Sequence, residues 1–500
     1  MAALDIGRLR EDLEPFTGEL EDELYQNQSG LKDEMSTAPI FDKYSHLFSD
    51  EAVEILKQAA EAAPEGDDSR RLRYLRLFST TGYLDNAVKA LTDKSNTYQS
   101  QAVVELWGEM IPYRAVPVRL RNESDHDRRR QLFEAQLVLK EELNKMLLER
   151  MATAHDLSVV LQFKNYHDLC STLKGVDYRA LEIQMEELLR RTEEPYLEAM
   201  DELLLRTEGM SLSEAWSYDV PFALRGLEYD KHFPKERLAE SLFSTLRSLG
   251  LDPDKYPNIK YDTEVRPKKS PRAFCSAIQV PSDVRLVIMP SGGFDDYQAF
   301  LHESGHAWHF GNTKADMPAE YRYLGDNSVT EAFAFLFEHL TMSKAWLKAK
   351  MGMENPDEFY KFTLVNKLMF LRRYAAKLIY ELKLHSAKVS PEFGEVYRSC
   401  LQRALKFRHT DKNYLEDVDD GFYCANYIRA WILEARLRAA LEEEWGEDWF
   451  SKEKAGNLLK ELWSYGQKYR AEEVVKTIGY ADMDIDPLIN EVERGLPSSG

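Results

Sequence analysis

Apolar residues recur every three to four positions, with charge packed between them, through most of this chain. The pattern runs over Glu51–Ala63, Ser69–Leu91, His126–Thr153, Tyr178–Thr207 and Lys235–Leu249. It returns over Asn327–Ser343, Pro356–His385, Pro391–Arg408, Cys424–Glu444 and Ser451–Tyr465. Such spacing lines up one apolar face per helix. Prolines and glycines sit mainly between the runs, as in Ala63-Pro64-Glu65-Gly66, where they interrupt helices. The expected fold class is mainly α. With 500 residues, 44% of them hydrophobic, the chain can bury more than one core, and two or three lobes are expected. The expected division is a helical N-terminal lobe, 1–208, and a mixed lobe, 209–500, with Gly209–Asp230 as connector.

One stretch departs from the pattern. Within Tyr261–Pro290, two β-type runs, Ala273–Val280 and Val284–Met289, flank Pro281-Ser282-Asp283, which is a hairpin signal. A small sheet over about 259–290 is therefore expected just before the next helix. Two roles fit it equally. Its edge could hold an extended peptide through main-chain hydrogen bonds, or the hairpin could simply cover the core.

The formal net charge of −21 argues against nucleic acid, whose phosphates call for a basic face. It argues equally against an anionic membrane surface. The four cysteines (Cys170, Cys275, Cys400, Cys424) are far apart and form no C-x-x-C pair, so neither a thiolate metal site nor a disulfide framework is expected. The N-terminal MAALDIGRLREDLEPFTGEL has early acids and no apolar run, unlike a secretory signal. No stretch reaches the roughly 18 apolar residues of a membrane helix. A cytoplasmic, reducing location is expected.

Against this background, three of the eleven histidines fall within FLHESGHAWHF, Phe300–Phe310. A turn at Ser291-Gly292-Gly293 precedes it, and Asp295 or Asp296 can cap the helix that follows. On a helix, residues four apart differ by about 40° in direction and about 6 Å in height. His302 and His306 thus share a face, a turn apart, as two ligands of one metal ion would. Glu303, at the edge of that face, is placed to take a proton from a water. His309 lies beyond and is expected to pack or to support. An H-E-x-x-H arises by chance in roughly a few per cent of such chains, so context decides. The next helical run opens with Asn327-Ser328-Val329-Thr330-Glu331, followed by Ala332, Phe333, Phe335, Leu336 and Phe337. A glutamate buried there needs a partner: a metal ion, an arginine, or else a solvent-facing stripe. Two histidines and one glutamate with a fourth position open is the catalytic zinc pattern. Glu338 and Ser328 could orient the imidazoles, or serve solvent and capping roles.

The stretch resembles the signature of the thimet oligopeptidase and oligoendopeptidase F family of zinc peptidases. Gly305 before the second histidine, His309 three further on, and the 25-residue gap from His306 to Glu331 all match. The segment Gly421-Phe422-Tyr423-Cys424-Ala425-Asn426-Tyr427-Ile428-Arg429-Ala430-Trp431 is similar to that family's tyrosine-rich segment, as are Ile478-Gly479 and Asp486-Pro487-Leu488-Ile489 farther on. Ala430 stands where the family often has another tyrosine. No histidine precedes Tyr423 at the usual short distance, His409 being fourteen residues back. The likeness covers about residues 260–490; before that, only helicity agrees.

The resemblance implies a two-lobed helical zincin peptidase with a deep channel, a small sheet beside the active helix and one zinc ion per chain. His302, His306 and Glu331 would hold the metal, and Glu303 would shuttle the proton. A phenol of Tyr423 or Tyr427 would donate to the oxyanion; the bland alternative is two tyrosines packing one helix face. Substrates would be short unstructured peptides. A metallocarboxypeptidase is the nearest alternative, favoured if a cation such as Arg429 bound a terminal carboxylate. A non-catalytic, peptide-binding helical scaffold is the alternative of another class.

Overall fold

The computed structural model describes residues 4–497. It is mainly α with small sheets, as the periodicity predicts. Two compact units form, each from three stretches of chain. The first takes Met1–Tyr83, Leu227–Tyr360 and Arg429–Leu488; the second takes Leu84–Gly226, Lys361–Ile428 and Ile489–Gly500. The expected contiguous division, 1–208 and 209–500, gives way to this interleaved one. Three of its five division points fall inside the helices Asp67–Gln101, Asp357–Ser386 and Tyr423–Trp445; the others fall at Gly226, within the expected connector, and after Leu488, in the helix Asp486–Gly495.

The first unit opens with helix α1, Ile6–Gln28, whose Leu9, Leu13 and Phe16 fall on one face and are buried with Leu47, Phe48, Leu56 and Leu75. The predicted hairpin forms within a three-stranded sheet of β1 (Ile259–Asp262), β2 (Phe274–Gln279) and β3 (Asp283–Val287). The central β3 pairs parallel with β1 and antiparallel with β2, in the order β1-β3-β2. The outer strand β2 lies against α1, where the Ser276 hydroxyl donates to Glu21 at 2.9 Å.

Helix α2, Phe294–Asn312, begins after Gly293, whose φ of 96° is ordinary for glycine and strained for other residues. It starts earlier than the sequence suggests, so Asp295 and Asp296 fall inside its first turn rather than at its cap. The Asp296 carboxylate instead accepts the Ser291 and Gly292 amides at 2.6 and 2.7 Å, tying down the preceding turn. The Phe294 amide donates to Asp230 at 2.9 Å.

Helix α3, Asn327–Glu338, is buried on every side from Ser328 to Phe337. Asp326 caps it by accepting the Ser328 amide at 3.1 Å. The expected Asn327–Ser343 run ends as a 3₁₀ turn over His339–Met342. α3 lies unusually close to α2. A Cβ on Gly305 would stand 2.3 Å from the Phe333 carbonyl oxygen and 2.5 Å from Ala334 Cα. Only glycine allows the two backbones that approach.

The second unit is built on long helices, His126–Val160 among them, with a two-stranded hairpin, Val103–Leu106 and Glu109–Pro112. The expected single helix Tyr178–Thr207 is two, Tyr178–Arg191 and Glu193–Glu208, parted at Thr192. Pro195 has no amide to offer the Arg191 carbonyl. Arg372 meanwhile donates to the Leu189 carbonyl and the Thr192 hydroxyl, each at 2.8 Å.

Candidate metal centre

α2 and α3 bring His302, His306 and Glu331 together. Their ligand atoms all lie within 4.8 Å of one another, so these three side chains could hold a metal ion. Each imidazole turns Nε2 toward the Glu331 carboxylate, at 3.4 Å from His302 and 3.5 Å from His306. Each is anchored through Nδ1. His302 Nδ1 meets the Glu338 carboxylate at 2.8 Å, and His306 Nδ1 meets the Thr330 hydroxyl at 2.8 Å. With a metal ion held, Nδ1–H would donate outward and the Nε2 lone pair would face the centre, the arrangement in which supporting groups fix tautomer and ring orientation. The Phe335 ring packs edge-on to His302, with centroids 5.2 Å apart.

Glu331 does not face solvent; it is buried within a helix buried all round. Burial pushes its carboxyl up, but the two histidines outweigh it and hold the pKa well below the usual carboxylate range. Burial likewise disfavours charge on His302. Its interactions with Glu331 and Glu338 prevail and raise its pKa well above the ordinary value. Glu303 moves the other way. Burial raises its pKa, only partly offset by the nearby histidines and a hydrogen bond from the Cys275 backbone on β2. A carboxyl so raised is suited to carrying a proton.

His309 is fully buried and bonds the Gly466 carbonyl through Nε2 at 3.1 Å. Burial lowers its pKa to about 3, so it is neutral, in a packing role. Of the two proposed orienting residues, Glu338 fills that role. Ser328 does not; its hydroxyl accepts from Arg429 at 2.9 Å. Thr330, which meets His306, escaped sequence reasoning, although it directly precedes the candidate ligand Glu331.

Arg429 is not available to bind a peptide carboxylate. It is buried and wholly engaged, with Asp326 at 2.6 and 2.9 Å and with Glu472 at 2.7 Å. It steadies the capping aspartate of α3, and so the helix that carries Glu331. Burial would raise the Asp326 pKa, but Arg429 dominates and brings it down to about 2.

Tyr423 and Tyr427 lie in the second unit, on the first two turns of the helix Tyr423–Trp445. Their rings meet edge to face at 5.1 Å, and Tyr374 meets Tyr427 at 5.4 Å. His409, also in that unit, is buried and stacked on Phe407 at 4.8 Å, with burial lowering its pKa to about 3. A second gathering of possible ligands there comprises Glu381, Asp419 and Cys424. It already holds a cation, the Lys377 ammonium 2.8 Å from Asp419. Glu381 in turn accepts the Asp419 amide at 3.0 Å and the Cys424 thiol at 3.2 Å, and burial raises Glu381 to about 8 and the thiol well above its ordinary range. The cluster therefore reads as a neutralised core network.

The four cysteines are free. Among the described residues, no helix is long and apolar enough to cross a membrane. No protein-family model matches the chain, and no curated protein matches it.

Proposed function

We propose that this protein is a zinc peptidase that hydrolyses peptide bonds in short, unstructured peptides, as its resemblance to the oligopeptidase family implies. One observation carries the reading. Two donors each roughly 2.0–2.1 Å from a tetrahedral zinc stand about 3.4 Å apart. The Glu331 carboxylate is 3.4 and 3.5 Å from the two imidazole Nε2 atoms. Two nitrogens and one carboxylate oxygen leave a fourth position open, which suits a catalytic rather than a structural site.

When bound, zinc supplies Lewis acidity to the substrate carbonyl and to water. Glu303 takes the proton that water loses as its oxygen bonds the carbonyl carbon. The same carboxyl returns that proton to the nitrogen as the C–N bond breaks. Its raised pKa supports both halves of that exchange. Glu338 and Thr330 keep the imidazoles in one tautomer throughout. The hydrogen bond between Glu303 and the Cys275 backbone puts β2 beside this carboxylate, which supports main-chain pairing of an extended peptide along the strand. The engagement of Arg429 removes the feature that favoured a carboxypeptidase.

The test combines metal analysis with one substitution. Purified protein is expected to carry about one zinc per chain. Glu303→Gln is expected to keep that zinc and to lose cleavage of an internally quenched peptide by about 10²–10⁴-fold. Unchanged cleavage by the zinc-loaded variant would refute the mechanism.

A further inference from the structure

In the second unit, a cavity of about 910 Å³ is lined by Arg372, Glu193 and three arginine–glutamate pairs. We propose that it is a binding site for a small oxyanion, a carboxylate or a phosphate, with Arg372 as its cationic floor.

Arg372 is fully buried. Its Nε donates to the Ala404 carbonyl at 2.8 Å, and its Nη1 donates to the Leu189 carbonyl and the Thr192 hydroxyl at 2.8 Å each. The Tyr196 ring covers the guanidinium at 4.6 Å. These contacts fix the group rigidly but bring no negative charge. Nη2 has no hydrogen-bond partner among the described residues. The Glu193 carboxylate stands 4.0 Å from it, beyond hydrogen-bonding reach, and is drawn toward Lys406, 2.9 Å away. A buried guanidinium held only by neutral acceptors is costly unless an anion completes it. Burial accordingly lowers its pKa to about 10.

The walls offer Arg372 no other counter-ion. Arg403 holds Glu186 with two contacts, at 2.7 and 2.8 Å. Arg190 holds Glu187 in the same way, at 2.6 and 2.8 Å, and Arg179 holds Glu182 at 2.7 Å. With Lys406 included, five cations face four carboxylates, and the excess charge falls at Arg372. Nη2 is the one donor of the guanidinium left unengaged, so the expected contact, made as the Glu193 side chain swings aside, is a single charge-assisted bond rather than the bidentate clasp of an unengaged arginine. This site is independent of the metal centre.

The test is titration calorimetry on the full-length protein with sodium phosphate and, separately, sodium acetate, at fixed ionic strength in chloride. Saturable binding with one site per chain is expected for at least one of them, and which one identifies the class. Glu193→Gln removes the competing carboxylate and is expected to tighten binding about three-fold. Arg372→Met is expected to abolish binding; if that variant does not fold, Glu193→Gln still decides. No saturable binding of either anion, an unchanged affinity in Glu193→Gln, or full binding by a folded Arg372→Met would overturn the assignment.

Discussion

Gly305→Ala separates two readings of one glycine. On an isolated helix the change is favourable, since alanine exceeds glycine in helix propensity by about 1 kcal/mol. In this protein the added methyl carbon would sit 2.3 Å from the Phe333 carbonyl oxygen, where real contacts begin at 3.0 Å. The obstacle is backbone, with Ala334 Cα and N at 2.5 and 2.7 Å behind it, so no side chain can swing aside. α2 and α3 must part by about 0.7 Å, the difference between 3.0 and 2.3 Å. Overpacking of this kind costs about 1–3 kcal/mol, enough to reverse the propensity gain. The displacement also falls between the two helices that carry the three side chains proposed to hold the metal. Zinc–ligand distances hold to within about 0.2 Å, so the centre is misaligned by several times its tolerance. Urea unfolding of the metal-free protein is expected to show a loss of up to about 2 kcal/mol, the overpacking cost less the propensity gain. Chelator competition is expected to show zinc affinity at least about ten-fold weaker. Gly311→Ala serves as the control on the same helix. There the new methyl meets the side chain of Ile259 at 2.5 Å, which can move, and zinc affinity is expected to hold. A Gly305→Ala protein as stable as the parent, with undiminished zinc affinity, would refute the close-approach argument.

Three further outcomes are expected. Glu338→Ala removes the partner of His302 Nδ1 and should weaken zinc binding about 10–100-fold, read by chelator competition; an unchanged affinity would show the contact to be incidental. Tyr423→Phe and Tyr427→Phe test the phenolic donor that the family resemblance implies: the variant lacking it should lose about 10²–10³ in kcat with KM nearly unchanged, and full activity in both would remove that role. Asp326 has a folded pKa of about 2 against an ordinary 3.8, so the unfolded chain binds more protons between those values, and about 2 kcal/mol of stability present above pH 4 is lost as pH falls toward 2. Asp326→Asn should lack that increment, so its stability deficit in urea unfolding should shrink between pH 7 and pH 2.5; a constant deficit would contradict the assignment.

What could be read from sequence was what local geometry dictates. His302 and His306 share a face because positions four apart do so on any helix. Glu331 stood out because an acid heading the apolar run Ala332–Phe337 must find a partner wherever the helix packs. The hairpin before α2 was legible from alternation and Pro281-Ser282-Asp283. The misses share a different cause. Arg429 looks the same in sequence whether it faces a ligand or a buried acid. Asp326 and Glu472, 103 and 43 residues away, decide that it holds α3 in place. The break at Thr192 has a local signal in Pro195, but Arg372 from a distant helix completes it. The boundary at Gly226 falls in the expected connector, but the division as a whole could not be read because three of its boundaries run through continuing helices.

Gly305 shows the limit most sharply. Within α2 alone it is a weak point, costing about 1 kcal/mol of helix propensity against alanine. Its reason for being there is the backbone of α3, which passes where a Cβ would be. The motif's two histidines specify where a metal can be held from one side. The glycine between them determines whether the glutamate on the other helix can come near enough to complete the site.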